Sequence, residues 1–185
     1  MRIMKISKLL LVASVLFMGL FSSDTVFAAN ISTGNDCSLS DAILSAETDT
    51  AISGCFSGAG ADIIKVNQNE SIVSIPSGEY PDGQNAFKSI TTSISILGYN
   101  HTISLENNTS IPGRLFNVIA GGELHISDMN FVDLNSTAPL MENGGFLFAE
   151  NGVVKLTNVS IDGFLATSFG GGIYSANSSL DLIKT

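Results

Sequence analysis

The sequence predicts an all-β chain: a parallel β-helix, or solenoid, of four to five coils with a short capping helix at its N-terminal end. Three observations carry this. Apolar-x-apolar pairs return at a fixed spacing: Ile64 and Val66, Ile94 and Ile96, Leu124 and Ile126, Val154 and Leu156, 30 residues apart each time. A last pair, Leu180 and Leu182, follows after 26 residues. Such pairs are the alternation of a half-buried strand, and a constant period of this size marks stacked repeats. Second, Gly and Asn gather at the joins, where a left-handed backbone or a tight bend is needed. Third, no helical periodicity interrupts the pattern beyond residue 62. A unit of this kind cannot bury its own apolar side chains and must stack on its neighbour. At ~4.8 Å per coil the stack is about 20 Å tall. A sandwich would not hold a column register, and a propeller blade needs ~40 residues or more.

Residues 1–28 have the layout of a secretory signal peptide. Arg2, Lys5 and Lys8 form a basic start, Leu9 to Phe21 an apolar run, and Val26-Phe27-Ala28 a cleavage site, which makes Ala29 the new N-terminus. The apolar run is about 13 residues, short of the ~20 that a spanning anchor needs. The expected location is therefore secreted, extracellular or at the cell surface, with no membrane span after cleavage.

The leader removes three basic residues and one acidic one. From 8 Lys and Arg and 17 Asp and Glu this leaves 5 and 16, a net charge of -11. So few cations argue against nucleic acid, whose phosphates need clustered Lys and Arg. They argue equally against anionic membrane surfaces.

Residues 29–61 form the predicted cap. Cys37 and Cys55 are the only cysteines. An even pair at short separation in an exported chain predicts a disulfide. Neither His101 nor His125 is close enough in sequence to make a metal site of them. Ser38 with Asp41 three residues on resembles a capping box, and Leu39, Ile43 and Leu44 fall on one helical face. A short amphipathic helix follows.

Residues 62–185 are read as the coils. Further columns 30 apart are Tyr99, Met129 and Val159; Phe131 and Ile161; Phe116 and Phe146; Val118 and Phe148; and Gly122 and Gly152. Leu124-x-Ile126 and Met129-x-Phe131 read as two short strands joined at a bend, repeated at Val154-x-Leu156 and Val159-x-Ile161.

These residues carry a family resemblance. Cys37-Ser38-Leu39-Ser40-Asp41-Ala42-Ile43 resembles the CSLREA motif at the N-terminus of secreted bacterial right-handed parallel β-helix proteins. Cys55 and Gly60-Ala61-Asp62-Ile63-Ile64 fit its continuation. Gly113-Arg114-Leu115-Phe116-Asn117-Val118, Gly121-Gly122-Glu123-Leu124 and Gly170-Gly171-Gly172-Ile173-Tyr174 look like coil motifs of that family. The match spans essentially the whole mature chain. It departs at Ser40 and Asp41, where the family has Arg and Glu. The resemblance implies a right-handed, pectin-lyase-like fold and says little about activity, because fold does not fix chemistry.

Candidate chemistry lies on outward positions. Lys65, Ser95, His125, Lys155 and Asp181 form one column of mixed charge without paired carboxylates, which a solvated strand face explains. Asp128, Asn130, Asn158, Ser160 and Asp162, with Asp133 beyond, form a second. Asp128 and Asp162 are the weak candidates for catalytic acids, provided that they are held ~5 to 9 Å apart. An oxygen-rich column of this kind could also hold Ca²⁺, although the Gly and ligand spacing of a calcium loop is absent; no other cofactor is implied. Arg114 is the only arginine of the mature chain, read as a solvent-capped residue ahead of a strand. With four scattered lysines (65, 88, 155 and 184) it makes a poor uronate lyase. No nucleophile elbow, phosphate loop or zinc motif occurs. Sequons such as Asn100-His101-Thr102 and Asn135-Ser136-Thr137 follow from an Asn-, Ser- and Thr-rich composition.

The expected function is that of a secreted or surface scaffold, adhesin-like or glycan-binding, facing an extracellular glycan or a host or cell surface. The alternative is a fragment of a carbohydrate-active enzyme of the polysaccharide lyase or glycoside hydrolase type. Only Ile183-Lys184-Thr185 follow the last pair, so the final coil is expected to be uncapped and the chain truncated.

Overall fold

The computed structural model describes residues 28–73, 85–106, 114–134 and 141–185. Residues 1–27 of the predicted signal peptide, Gly113 and the sequon at Asn135 lie outside them. β1 (Asn30–Ser32) precedes α1 (Leu39–Thr48), and the strands β2 (Asp62–Lys65), β3 (Glu70–Ile72), β4 (Ser93–Leu105), β5 (Phe116–Val118) and β6 (Glu123–Asp133) follow. Then come β7 (Met141–Asn143), β8 (Leu147–Glu150), β9 (Val153–Asp162), β10 (Ala166–Phe169), β11 (Ile173–Ala176) and β12 (Ser179–Ile183).

The strands build a parallel β-solenoid of about four turns. One sheet runs β1-β2-β4-β6-β9-β12, with β3 also on β4; a second joins β5, β8 and β11, and a third joins β7 and β10. Every strand pairing is parallel. The paired apolar residues point inward as expected: Ile94, Ile96, Leu124, Ile126, Val154 and Leu156 are at most 1% exposed.

The period is less uniform than the sequence suggests. Leu124 sits beside Ile94 and Val154 beside Leu124, a step of 30, and Leu180 sits beside Val154, a step of 26. The first step is different. Ile64 lies beside Ile96, not Ile94, and Asp62 takes the place beside Ile94. A slip of two residues preserves which side chains face inward, so a pattern count cannot see it.

Two other columns are corrected as well. His101, not Tyr99, lies beside Met129. β4 spends two more residues on its bend than β6 does, and Tyr99 is left there at φ 48°, 55% exposed. In the second sheet Phe116 pairs with Leu147 and Val118 with Ala149. Phe148 therefore points outward and is only half-buried, while Phe146 stays inside, 5.4 Å from the Phe116 ring.

The bends explain how inward spacing can be odd. Ile126 and Met129 are three apart, yet both are buried. Between them Asp128 is left-handed at φ 53°, and Asn158 at φ 54° does the same one coil on. Asn and Asp tolerate this region better than other non-glycine residues. A second corner uses Gly121, Asn151 and Asn177, all with positive φ.

Inside, aromatic rings run up the stack. Phe87 touches Phe116, Phe116 touches Phe131 and Phe146, and Phe146 touches Phe164, with centroids 4.9–5.6 Å apart. Such tilted and edge-on pairs add about 0.5–1.5 kcal/mol each beyond area burial.

The cap closes the first coil. Ser38 is the N-cap of α1; its hydroxyl oxygen accepts from Asp41 N–H at 3.0 Å and its O–H donates to the Asp41 carboxylate at 2.8 Å. Leu39, Ala42, Ile43 and Ala46 form the buried face, and Leu44 is half-exposed instead. Cys37 and Cys55 are joined in a disulfide. The Glu47 carboxylate reaches down to accept from the backbone N–H groups of Thr91 and Thr92 and from both hydroxyls. Glu70 accepts from Leu39 N–H at 2.9 Å, at the helix start. No helix among the described residues is long and apolar enough to cross a membrane.

Candidate binding faces

Stacking a parallel strand on its neighbour lines up outward side chains as well as inward ones, at about 4.8 Å per coil. Three outward ladders result. On the first half of the long sheet the expected column holds in part: Ser95, His125, Lys155 and Asp181 are neighbours in register, but Lys65 lies beside Leu97 and Ile63 takes its place. His125 Nε2 is 3.0 Å from the Glu123 carboxylate, and Lys155 Nζ is 3.9 Å from that of Asp181. All four side chains are exposed, so each pair adds little to stability, about 0–1 kcal/mol.

The second ladder lies beyond the bend. Asn158 donates to the Asp128 carboxylate at 2.8 Å, and Asn130 donates to the Asn100 carbonyl at 3.2 Å. Asn130 and Ser160 stack as expected. Asp128 is therefore tied to the corner ladder. Asp162 lies at the far end of the same strand segment, beside Val132. Four residues of strand separate that position from Asp128, about 13 Å. The structure does not bring Asp128 and Asp162 together as an acid–base pair would be. Among the described residues no group of three or more His, Cys, Asp or Glu side chains is placed to hold a metal ion.

The third ladder climbs the sheet of β5, β8 and β11, and only its parts were visible in the sequence. Asn117 donates to the Ser89 hydroxyl at 2.8 Å. Phe148 follows, and the Tyr174 ring stacks on it at 5.1 Å with planes 16° apart. Arg114 reaches Phe148 from the coil on the other side, its guanidinium carbon 4.9 Å from the ring centroid. Arg114 is not solvent-capped: it is 8% exposed. It donates from Nε to the Gly144 carbonyl at 3.1 Å, from one terminal nitrogen to the Asn143 carbonyl at 2.6 Å, and from the other to Asn85 Oδ1 at 3.2 Å. Burial lowers the pKa of this guanidinium, which stays charged because its starting value is so high. Its partners come from other coils, so nothing adjacent in sequence announces them.

No family model, curated protein or solved structure matches the chain. What these faces do must be argued from their chemistry. They are open, regular and half-exposed, with hydroxyls, amides and two stacked rings in line.

Proposed function

We propose that the protein is an exported β-helix scaffold, of the kind that the CSLREA-like motif suggests, which presents its outer faces to an extracellular glycan or a host or cell surface. The observation that carries this reading is the third ladder. Asn117, Phe148 and Tyr174 run up one half-exposed face in single file, with the buried Ser89 hydroxyl holding the Asn117 amide from the coil below and Arg114 fixing the base of the aromatic pair. The Asn117 amide satisfies sugar hydroxyls, and the aromatic rings supply apolar area with a polar tip at Tyr174. An exported chain with 16 acidic against 5 basic residues favours neutral glycans over acidic ones by charge.

The wide spacing of Asp128 and Asp162 supports binding over hydrolysis. Neutral and acidic polysaccharides should be screened for retention of the exported protein and for product. Retention on a neutral polymer that Tyr174→Ala weakens, with neither new reducing ends nor unsaturated product, supports the reading. Turnover that Asp128→Ala or Asp162→Ala abolishes overturns it in favour of a carbohydrate-active enzyme.

A further inference from the structure

Ala29 is held at the mouth of the cap. Its amide N–H lies 3.1 Å from Asp62 Oδ1 and 3.3 Å from the Ala59 carbonyl oxygen, and its own carbonyl accepts from Ile63 N–H at 2.9 Å. Asp62 is 1% exposed, on the inward column beside Ile94. Its Oδ1 also accepts from Ala59 N–H at 2.8 Å. Its Oδ2 is buried and has no hydrogen-bond partner. The wall is close: a Cβ on Gly58 would stand 2.6 Å from Oδ2. One amide hydrogen thus serves two acceptors, and a carboxylate oxygen is left with none. Desolvation raises the Asp62 pKa, and the nearby charges of Asp49 and Glu47 add to this, against the pull of the Ala59 and Ala29 N–H groups.

We propose that hydrolysis of the Ala28–Ala29 bond completes this site, because the new α-ammonium of Ala29 forms an ion pair with the buried Asp62 carboxylate. The inference rests on the export reading, in which Val26-Phe27-Ala28 is the peptidase site. The step consumes one water. The C–N bond breaks, the water oxygen stays on Ala28 as carboxylate, and the Ala29 nitrogen leaves with its hydrogen and takes up two protons. An ammonium has three N–H donors where the peptide had one. One serves Asp62 Oδ1, one the Ala59 carbonyl, and the third the orphaned Oδ2. Cleavage of the leader then tightens β1 against β2 and closes the first coil, so that processing and folding of the cap are coupled.

The sign of the coupling is testable. A free α-amino group titrates at about 7.7–8.0, and a buried carboxylate partner raises that value. The stability it adds is complete below the unfolded value and is lost as pH rises through the folded one.

The test uses the full chain, expressed in a bacterial host and recovered after export. Intact mass gives the N-terminus. NMR of Ala29 gives the titration of its amine, and thermal melts compare wild type, Asp62→Asn, a variant with one Gly inserted before Ala29, and the two changes combined. The expected results are an N-terminus at Ala29, an amine that titrates above the ordinary range, and a fall in melting temperature of roughly 5 °C for either change, with little more for both. An N-terminus at Ala29 with an ordinary amine, and a Gly insertion without effect, overturns the ion pair and leaves export standing. A retained leader, or a cut elsewhere, overturns the proposal together with the boundary on which it rests.

Discussion

The first and last coils described carry the same pattern and meet different surroundings. At the N-terminal end, α1 covers the first coil, held by the disulfide and by the Glu47 and Glu70 carboxylates, and Ile64 and Val66 beneath it are fully buried. At the other end, Leu180 and Leu182 keep the same register on Val154 and Leu156 but are 37% and 48% exposed. Leu156, one coil inside, is at 0%. The alternation makes the strand and chooses the face. Only a neighbour on each side makes that face a core, and the stability of a stacked repeat is accordingly a sum of interfaces.

The largest effect should come from the middle of the stack. Ile126→Asp places a charge without a partner among Leu124, Met129 and Phe131, and should cost about 4 kcal/mol or more and unfold the coils, as seen by circular dichroism. A melt indistinguishable from wild type would mean that the inward register is wrong. Next is the capped end. Reduction of the Cys37–Cys55 bond releases a loop with a sequence separation of 18, and should cost about 3 kcal/mol; free thiols in the untreated exported protein would contradict the pairing.

Glu70 gives the capped end a dependence on pH. Burial raises its pKa, Asp41 adds to this, and the Leu39 N–H pulls the other way. A carboxyl raised in the fold binds its proton more tightly there than in the unfolded chain, so its contribution is greatest at low pH and falls as pH rises through the folded value. Glu70→Gln should flatten the part of the stability profile that lies just above the ordinary glutamate pKa of about 4.3, measured by urea melts. A profile unchanged by the substitution would remove Glu70 from the account. The smallest effect belongs to the last coil described, where Leu182 is 48% exposed. Leu182→Asp repeats the chemistry of Ile126→Asp on a half-exposed side chain, and should stay within about 1 kcal/mol of wild type. A cost equal to that of Ile126→Asp would mean that the last coil is covered in solution.

What the sequence made legible was local. Side-chain alternation put Leu124, Ile126, Phe131 and Leu156 inside, and Gly121, Asn151 and Asn177 of the joins turn the chain with positive φ, whereas Asp128 and Asn158, read as outward strand positions, are themselves left-handed corner residues. Coil length was less legible. The two extra residues between Ile64 and Ile96, and those at Tyr99, preserve parity, so the column spacing gives no sign of them. An offset of 31 in the second sheet does change parity, which put Phe148 outside where a count of 30 placed it inside. Arg114 was misread because its partners, Asn85, Asn143, Gly144 and Phe148, come from the coils on either side of its own. The third ladder could have been suspected only from Phe148 and Tyr174, 26 residues apart, the same step that separates Val154 from Leu180.

Adjacent coils are the central claim, and cross-linking tests it most directly. His125 and Lys155 are register neighbours, with Asp181 one coil further. Neighbouring strands lie about 4.8 Å apart and strands two coils apart about 10 Å, while a disulfide needs Cα atoms within about 7 Å. Mild oxidation should therefore close the pair in His125→Cys/Lys155→Cys without loss of the native fold, and leave His125→Cys/Asp181→Cys open. Failure of the first pair to close, or equal closure of the second, would contradict the parallel stack.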